Sequence, residues 1–340
     1  MNGPIFQSLS ERNITQHYYI LFSYEKKGHH TMYKKIFDSK NATREEWLNV
    51  RKLGLGGSDM SAVLGVNQWR SPLDVWLDKT SDTVEEKESE PMYWGTILED
   101  IVAQEFSKRT GYKVRNNNFT LQSEEYPYLL ANIDREIVGL DAGLECKTAN
   151  AFKADEWQGD SVPDAYYVQC QHYMAVTGKS SWWIACLVGG NTFYYKEIKR
   201  NDEVIQAIID AGAEFWRLVE TKTMPAPDDT KACSEALKKL YKNSNGNVIE
   251  LPAEYSNAVV DYLKIKDQLT ELESQKRGIE NLLKDYMKDN EKATAGEHVV
   301  SWKTSKPRET FDSKTFKSDH PDLYTNYIKQ GEPSRRFEVK

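Results

Sequence analysis

Hydrophobic and polar positions follow helical or strand-like periods along most of the chain. Apolar residues that recur every three or four positions predict helices at 43–52, 94–109, 163–176 and 204–220. Short apolar runs bounded by turn residues predict strands at 113–121, 129–133, 143–146, 182–188 and 192–198. The last two strands flank a turn at 189–191 and form a predicted hairpin. The chain therefore runs through helices, three strands, a helix, two strands and a helix.

Turn and cap signals refine the ends of these elements. Glycines at 54, 56 and 57 precede Ser58, which we predict to be the N-cap of a short helix. Free N–H groups at a helix start also suit an anion such as phosphate. Ser71 and Pro72 open a second short helix, and Gly111 ends the helix at 94–109. The acidic run at 82–90 is typical of a surface loop.

The two ends of the chain differ from the middle. Residues 1–31 lack periodicity, so we expect a disordered arm or a start assigned upstream of the true initiator, Met32. A helix-compatible stretch follows Met32. The Pro- and Asp-rich segment 224–229 marks a boundary, which predicts a linker at 226–252 and a C-terminal helical extension with a small tail at 253–340.

A stripe of apolar residues runs through the extension at alternating three- and four-residue steps. Its members are Tyr262, Ile265, Leu269, Leu272, Ile279, Leu283 and Tyr286. Lys276 is the one break in this coiled-coil-like pattern. The stripe predicts either a long helix that packs on its own domain or a contact between subunits.

Composition and charge exclude several classes of protein. Lys and Arg total 45 and Asp and Glu total 52, so the net charge of −7 excludes a globally basic nucleic-acid coat but leaves a local basic track open. No apolar run approaches the roughly 20 residues of a membrane span. The four cysteines form no CxxC pair, so we expect neither a zinc knuckle nor a disulfide framework, and a cytoplasmic location is the default.

Asp134, Glu145 and Lys147 form the candidate catalytic constellation. Asp134 follows one predicted strand, and Glu145 and Lys147 lie two residues apart at the end of the next, so they project from the same face. Two converging carboxylates suit Mg²⁺ or Mn²⁺, and an adjacent lysine can hold the attacking water in phosphoryl displacement. The pattern taken alone is also typical of a solvated strand end.

Neighbouring segments add further candidates. Glu99, on the helix before the strands, either completes a two-metal site or is an exposed helix charge. Gln169 and Tyr173 share a helix face, where a glutamine either binds a phosphate or metal-bound water or is an ordinary polar position. We expect His172 to be structural. Trp157, in the predicted loop 153–164, is the candidate wedge against a DNA end.

Five loose motifs occur in a specific order between residues 44 and 225. They are Arg51 with Gly57–Ser58–Asp59, Trp94–Gly95 with Glu99, Asp134, Glu145–Cys146–Lys147, and Gln169 with Tyr173. This string resembles the YqaJ-type viral recombinase family, which groups with the lambda-type phage exonucleases in the PD-(D/E)xK nuclease superfamily. The resemblance implies an α/β (α+β) fold at 32–225, with a restriction-endonuclease-like core in which helices flank a central mixed sheet.

The resemblance also implies a metal centre. By position, Asp134, Glu145 and the backbone carbonyl of Cys146 would be metal ligands, and Glu99 would support a second ion directly or through water. Lys147 would orient the nucleophilic water. The cofactor would be Mg²⁺ or Mn²⁺, with two ions per site.

The same resemblance implies that other residues contact DNA. Arg51 and Ser58 would bind a 5′-phosphate, since an arginine fork matches phosphate oxygens. Gln169 and Tyr173 match a Gln-x-x-x-Tyr motif shared with RecB-type nucleases, and Tyr173 is a candidate DNA contact. The family usually has glycine after the catalytic aspartate, whereas this chain has Arg135, a further candidate DNA contact.

The function implied is a Mg²⁺-dependent deoxyribonuclease that digests linear double-stranded DNA 5′ to 3′ from 5′-phosphorylated ends and leaves 3′ overhangs. The implied partners are double-stranded DNA ends, a RecT-like single-strand annealing protein and further copies of the chain, with a ring-shaped homotrimer expected and no membrane. Two alternatives stay open: a structure-specific endonuclease of the same fold, and a non-catalytic DNA-binding recombination accessory.

Overall fold

The computed structural model describes residues 32–82, 89–331 and 333–339. Its strands are β1 (Tyr33–Asp38), β2 (Val114–Asn116), β3 (Phe119–Ser123), β4 (Leu130–Asn132), β5 (Arg135–Ile137), β6 (Ala142–Ala149), β7 (Ser181–Val188), β8 (Thr192–Lys199), β9 (Lys292–Ala295) and β10 (His298–Ser301). Its α-helices are α1 (Arg44–Arg51), α2 (Gly57–Val63), α3 (Pro72–Thr80), α4 (Glu90–Thr110), α5 (Asp164–Thr177), α6 (Asp202–Glu220), α7 (Lys231–Leu240), α8 (Glu254–Met287), α9 (Ser313–Asp319) and α10 (Pro321–Tyr327). The expectation for residues 1–31, and most of the acidic run at 82–90, lie outside the described residues.

A five-stranded mixed sheet with the order β2-β5-β6-β7-β8 forms the centre of the first part of the chain. Strands β6 and β7 are parallel, and the other neighbouring pairs are antiparallel. Alternate residues of β7 point to opposite faces: Ala185 belongs to the apolar cluster that includes Phe106 of α4, whereas Ile184 belongs to the one that includes Met174 of α5. Helices therefore flank the sheet on both faces, which confirms the predicted fold class.

A second sheet has three strands in the order β1-β3-β4. Both of its neighbouring strand pairs are antiparallel. The chain leaves this sheet at the end of β4 and enters the central sheet at the start of β5, with only Ile133 and Asp134 between them. Asp134 is therefore held at the junction of two sheets rather than on a free loop.

Local signals account for most of the element ends. Thr43 and Ser71 each form a capping box at the start of a helix, where the side chain accepts a hydrogen bond from the N–H three residues on. Gly111 ends α4 with a φ of 77°, in the left-handed region that favours glycine. The hairpin between β7 and β8 is confirmed as well, with both glycines of its turn at positive φ.

Three expectations for this region are wrong. The stretch after Met32 is strand β1, because it pairs with β3 rather than forming a helix. Gly56, not Ser58, is the N-cap of α2, and Ser58 lies in the first turn. The strand predicted at 113–121 is two strands, β2 and β3, which belong to different sheets. Strand β5 was not predicted, because its three residues follow Asp134 directly and form no apolar run.

The chain divides into two compact units, the first ending at Ser234 and the second beginning at Glu235. This division lies inside the predicted linker 226–252, which contains helix α7. In the second unit, the apolar stripe falls on the single 34-residue helix α8, and its first member, Tyr262, makes an edge-to-face ring contact with Phe337. Strands β9 and β10 form an antiparallel hairpin. Across the described ranges, none of the helices is long and apolar enough to cross a membrane.

Candidate active site

The central sheet and the junction before it bring Asp134, Glu145 and Lys147 together. Strand β6 carries Glu145 and Lys147 on one face, and the antiparallel pairing of β5 with β6 sets Arg135 opposite Leu144. The backbone N–H of Cys146 donates to Asp134 Oδ2 at 2.7 Å. The predicted convergence of two carboxylates and one ammonium group therefore exists in the fold.

Glu145 lies at the centre of this group and is only 2 % exposed. Its Oε1 atom accepts from Lys147 Nζ at 2.5 Å and from Gln169 Nε2 at 2.7 Å. Gln169 Nε2 also donates to the Tyr173 hydroxyl at 2.7 Å. The Oε2 atom of Glu145 is buried and has no hydrogen-bond partner within the described chain. A buried carboxylate oxygen of this kind is costly unless a cation or donor satisfies it.

The charged groups of the cluster shift one another's pKa values. Burial raises the pKa of Asp134 well above its usual range, and the negative charges of Glu145 and Glu99 raise it further. Burial also raises the pKa of Glu145, although Lys147 opposes that shift. Burial lowers the pKa of Lys147, but Glu145 and Asp134 outweigh it and hold that pKa above its ordinary value. Lys147 is therefore a permanent cation beside carboxylates that it does not fully neutralise.

The donor set fits a hard divalent cation. Among the residues that the structure describes, no group of three His, Cys, Asp or Glu side chains can hold a metal by itself. Asp134 and Glu145 nevertheless lie close enough for each to influence the pKa of the other, and Glu145 Oε2 lacks a partner. Two carboxylates supplemented by the carbonyl of Cys146 and by water would give the all-oxygen set that Mg²⁺ and Mn²⁺ prefer.

Glu99 reaches the cluster from α4, but a cation from the chain already binds it. Arg135 Nη1 donates to Glu99 Oε1 and Arg135 Nη2 donates to Asp100 Oδ1, both at 2.5 Å. Nη1 also donates to the carbonyl oxygen of Asp134 at 2.7 Å. Arg135 is 4 % exposed, so the expectation that it contacts DNA is wrong. Its guanidinium forms ion pairs with Glu99 and Asp100, two acids of α4.

Arg51 and Ser58 also come together, at 3.5 Å between Arg51 Nη2 and Ser58 Oγ. The next residue, Asp59, is fully buried and binds three cations: Arg70 at 2.7 Å, Lys79 at 2.8 Å and Arg51 at 3.7 Å. Burial raises the pKa of Asp59, but these cations outweigh it and hold the pKa well below its usual range. Arg51 and Arg70 keep about a quarter of their side chains exposed, so both can reach a ligand.

Gly57 joins this cationic group to the carboxylates. A Cβ atom built on Gly57 would lie 2.8 Å from Gln169 Cγ and 3.1 Å from Tyr173 Cε1. The first residue of α2 therefore packs directly on the face of α5 that binds Glu145. The distance between Ser58 and the carboxylate cluster depends on this close approach of two helices.

The sequence profile of the YqaJ-like viral recombinase domain matches residues 46–180. The chain is also 43% identical over 303 residues to the uncharacterized protein YqaJ of Bacillus subtilis strain 168, covering 88% of this chain and 94% of that protein. The chain belongs to the YqaJ-like viral recombinase family.

Solved structures that resemble the chain are more distant. An alkaline exonuclease from Laribacter hongkongensis is 17% identical with a TM-score of 0.45, covering 58% of this chain and 98% of that one. A phage-related exonuclease from Haemophilus somnus 129PT is 12% identical with a TM-score of 0.41, covering 52% of this chain and 99% of that one.

Two aromatic candidates of this YqaJ-like domain are core residues. Trp157 ends a short 3₁₀ helix, is 1 % exposed and packs on Tyr166, so the expected wedge against DNA is wrong. Tyr173 is 4 % exposed and its hydroxyl accepts from Gln169, so it supports the site from within rather than contacting DNA. Tyr166 offers its ring to the Lys147 ammonium at 5.0 Å.

The sequence interpretation missed Asp59 as an ion-pair centre and missed Arg70 and Lys79 altogether. Asp59 belongs to the Gly57–Ser58–Asp59 motif, and an acid in a helix first turn next to a predicted phosphate site was the available signal. Arg70 and Lys79 carried no such signal. They reach Asp59 only because α2 and α3 pack together, with Lys79 also donating to the carbonyl oxygen of Arg51.

Proposed function

We propose that the chain is a metal-dependent exonuclease that digests linear double-stranded DNA 5′ to 3′ from 5′-phosphorylated ends in the cytoplasm. The observation that carries this proposal is the buried, unpartnered Oε2 of Glu145 beside Asp134, with the Lys147 ammonium on the other oxygen. A cluster with more carboxylates than cations favours binding of a divalent ion. The same set, with Lys147, suits hydrolysis of a phosphodiester.

Each residue of the cluster has its own role in the proposed hydrolysis. Asp134, Glu145 and the Cys146 carbonyl would hold Mg²⁺ or Mn²⁺, which when bound stabilises the charge that develops on the phosphate oxygens. Lys147 holds the attacking water and favours its deprotonation, because a fixed positive charge stabilises hydroxide. Gln169 holds Glu145 in one orientation through its hydrogen bond, and Tyr173 fixes Gln169 in turn.

Recognition of the DNA end belongs to the cationic group around Asp59. Arg51 and Arg70 present guanidinium groups beside the Ser58 hydroxyl, and Lys79 adds a buried charge. Arg70 also contacts the exposed Asp78, and Asp74 is near enough to raise the pKa of Arg70, so three cations meet three carboxylates. A terminal phosphate would bind through the partly exposed arginine forks rather than through an excess of positive charge. Such contacts give affinity without reading base sequence.

The wider role follows from family membership and stays within the same proposal. Digestion of one strand leaves a 3′ overhang, the substrate of a RecT-like single-strand annealing protein in phage-type recombination. A ring-shaped homotrimer would enclose the duplex and explain processive digestion. The stripe on α8 is the candidate contact for a subunit or for the annealing partner.

A digestion assay tests the proposal. Linear duplex with a 5′-phosphate or a 5′-hydroxyl, and a covalently closed circle, are each incubated with the protein with and without Mg²⁺. We expect Mg²⁺-dependent release of mononucleotides from the phosphorylated linear duplex and no attack on the circle. Lys147→Ala removes the water-binding cation and should abolish cleavage while DNA binding remains. Lys153→Ala removes an exposed lysine and serves as the matched control.

Other outcomes have defined meanings. Cleavage of the circle or of internal junctions would identify a structure-specific endonuclease instead. DNA binding without cleavage under any divalent ion would identify a non-catalytic accessory. Full activity of Lys147→Ala would contradict the mechanism.

A further inference from the structure

Arg135 is a buried cation at the edge of the carboxylate cluster. Its guanidinium makes charge-assisted hydrogen bonds to Glu99 and Asp100 at 2.5 Å and a third contact to the Asp134 carbonyl at 2.7 Å. Bonds of this type at both ends of the guanidinium fork are among the strong ones in proteins. The position directly follows Asp134 in the chain. The charge of Arg135 is therefore fixed next to the proposed metal ligands.

The charge balance of the cluster changes with this residue. The carboxylates in and beside the cluster are Asp134, Glu145, Glu99 and the mostly exposed Asp100, and the cations are Lys147 and Arg135. Four carboxylates against two cations leave two negative charges, which one divalent ion neutralises. An arginine in a protein cannot be deprotonated, so its contribution is permanent. Without this guanidinium, three negative charges would remain to attract metal.

Glu99 is the acid that a second ion would need. In two-metal sites the ions lie about 3.5–4 Å apart, and each needs oxygen ligands of its own. Glu99 Oε1 is already bound to Arg135 Nη1, and Asp100 is bound to the other end of the same guanidinium. A second divalent ion at Glu99 would approach the full positive charge of this guanidinium, whichever carboxylate oxygen it used.

We propose that the Arg135 guanidinium takes the place of a second divalent ion, so that this chain holds one ion per site. The inference rests on the metal site of the proposed function and refines its ion count. Arg135 is a positioning residue under this proposal, because it binds the acids of α4 and touches no substrate.

The test counts ions without measuring activity. The full chain is titrated with Mn²⁺ alone by isothermal titration calorimetry, as wild type and as Arg135→Met. We expect the wild type to bind one ion per chain and Asp134→Asn to bind none. Arg135→Met should bind a second ion, with an affinity at least tenfold higher than that of any second ion bound by the wild type. Arg115→Met is the matched control, because Arg115 lies on the neighbouring strand β2 and forms an ion pair with Glu136 of β5. The same loss of charge there should leave one ion.

Arg135→Gln provides a second variant if the methionine variant does not fold, since an amide keeps a donor toward Glu99 without the charge. Two ions of similar affinity in the wild type would overturn this proposal and leave the nuclease proposal intact. A folded Arg135 variant that still binds one ion would overturn it as well. Failure of the wild type to bind any Mn²⁺ would overturn both proposals together.

Discussion

Replacing Gly57 by alanine tests whether the contact between α2 and α5 sets the geometry of the site. The new Cβ atom would lie 2.8 Å from Gln169 Cγ, 3.1 Å from Tyr173 Cε1 and 3.2 Å from the carbonyl oxygen of Gln169. Carbon atoms in good contact are about 3.5–4.0 Å apart. Either Gln169 or the start of α2 must therefore move by roughly 0.7 Å to reach ordinary contact.

The size of the effect follows from that displacement. Overpacking of a well-filled interior costs about 1–3 kcal/mol, so the free energy of unfolding should fall by this amount. Gln169 Nε2 is only 2.7 Å from Glu145 Oε1, so the shift also disturbs the orientation of the carboxylate. Because a misplacement of about 1 Å can cost 100-fold in rate, we expect digestion to slow by about 10- to 100-fold.

Two measurements check this prediction: the initial rate of digestion of 5′-phosphorylated linear duplex, and urea unfolding at pH 7.5. Gly278→Ala on α8 is the matched control, because nothing lies within 4 Å of its added Cβ. That change should leave the rate unchanged and stabilise its helix by about 1 kcal/mol. A Gly57→Ala protein with wild-type rate and stability would refute the inference that this glycine is needed for close packing.

Three other changes probe the surroundings of the site. Arg51→Ala should weaken the preference for 5′-phosphorylated over 5′-hydroxyl ends by tenfold or more in competition digests, and an unchanged preference would rule out the phosphate site. Asp59→Asn should lower the free energy of urea unfolding by about 3–5 kcal/mol, because it leaves buried Lys79 without its carboxylate. Burial lowers the pKa of His172 from 6.5 to about 4, so only the unfolded chain gains this proton as pH falls through that window. Stability should fall by about 3 kcal/mol between pH 7 and pH 4 through His172, and His172→Gln should lose that part of the dependence.

Periodicity predicted those helices and strands whose apolar positions match the side that they bury in the fold. Helix α6 has one apolar face on the core, and the β7–β8 hairpin has a turn that needs two glycines, so both were visible in the sequence. Strand β1 was misread because Tyr33, Ile36 and Phe37 are spaced as on a helix face. Pairing with β3 overrides that local preference.

Periodicity predicted the site only where its residues are close in sequence, and the resemblance to the family supplied the more distant Glu99 and Gln169. Glu145 and Lys147 share a face because a strand has a period of two, and this needs no knowledge of the fold. The partners of Arg135 lie 35 and 36 positions away on α4, and those of Asp59 lie on three separate segments. Arg and Lys are also rarely buried, so nothing in the sequence marks Arg135 or Lys79 as interior residues.

Some buried polar residues of helix α5 stabilise the fold, and another orients a side chain of the candidate active site. Gln171 donates to the carbonyl of Lys199 and accepts from the N–H of Asn201, and His172 contacts the carbonyl of Leu130, so the nearest partners of both are backbone atoms. Gln169, on the same helix, instead binds the carboxylate of Glu145. A buried side chain that satisfies backbone groups stabilises the fold, whereas one that orients a charged side chain constrains the site. By this criterion Gln169 is the residue of α5 whose replacement should lower activity more than stability, and His172 the one whose replacement should do the reverse.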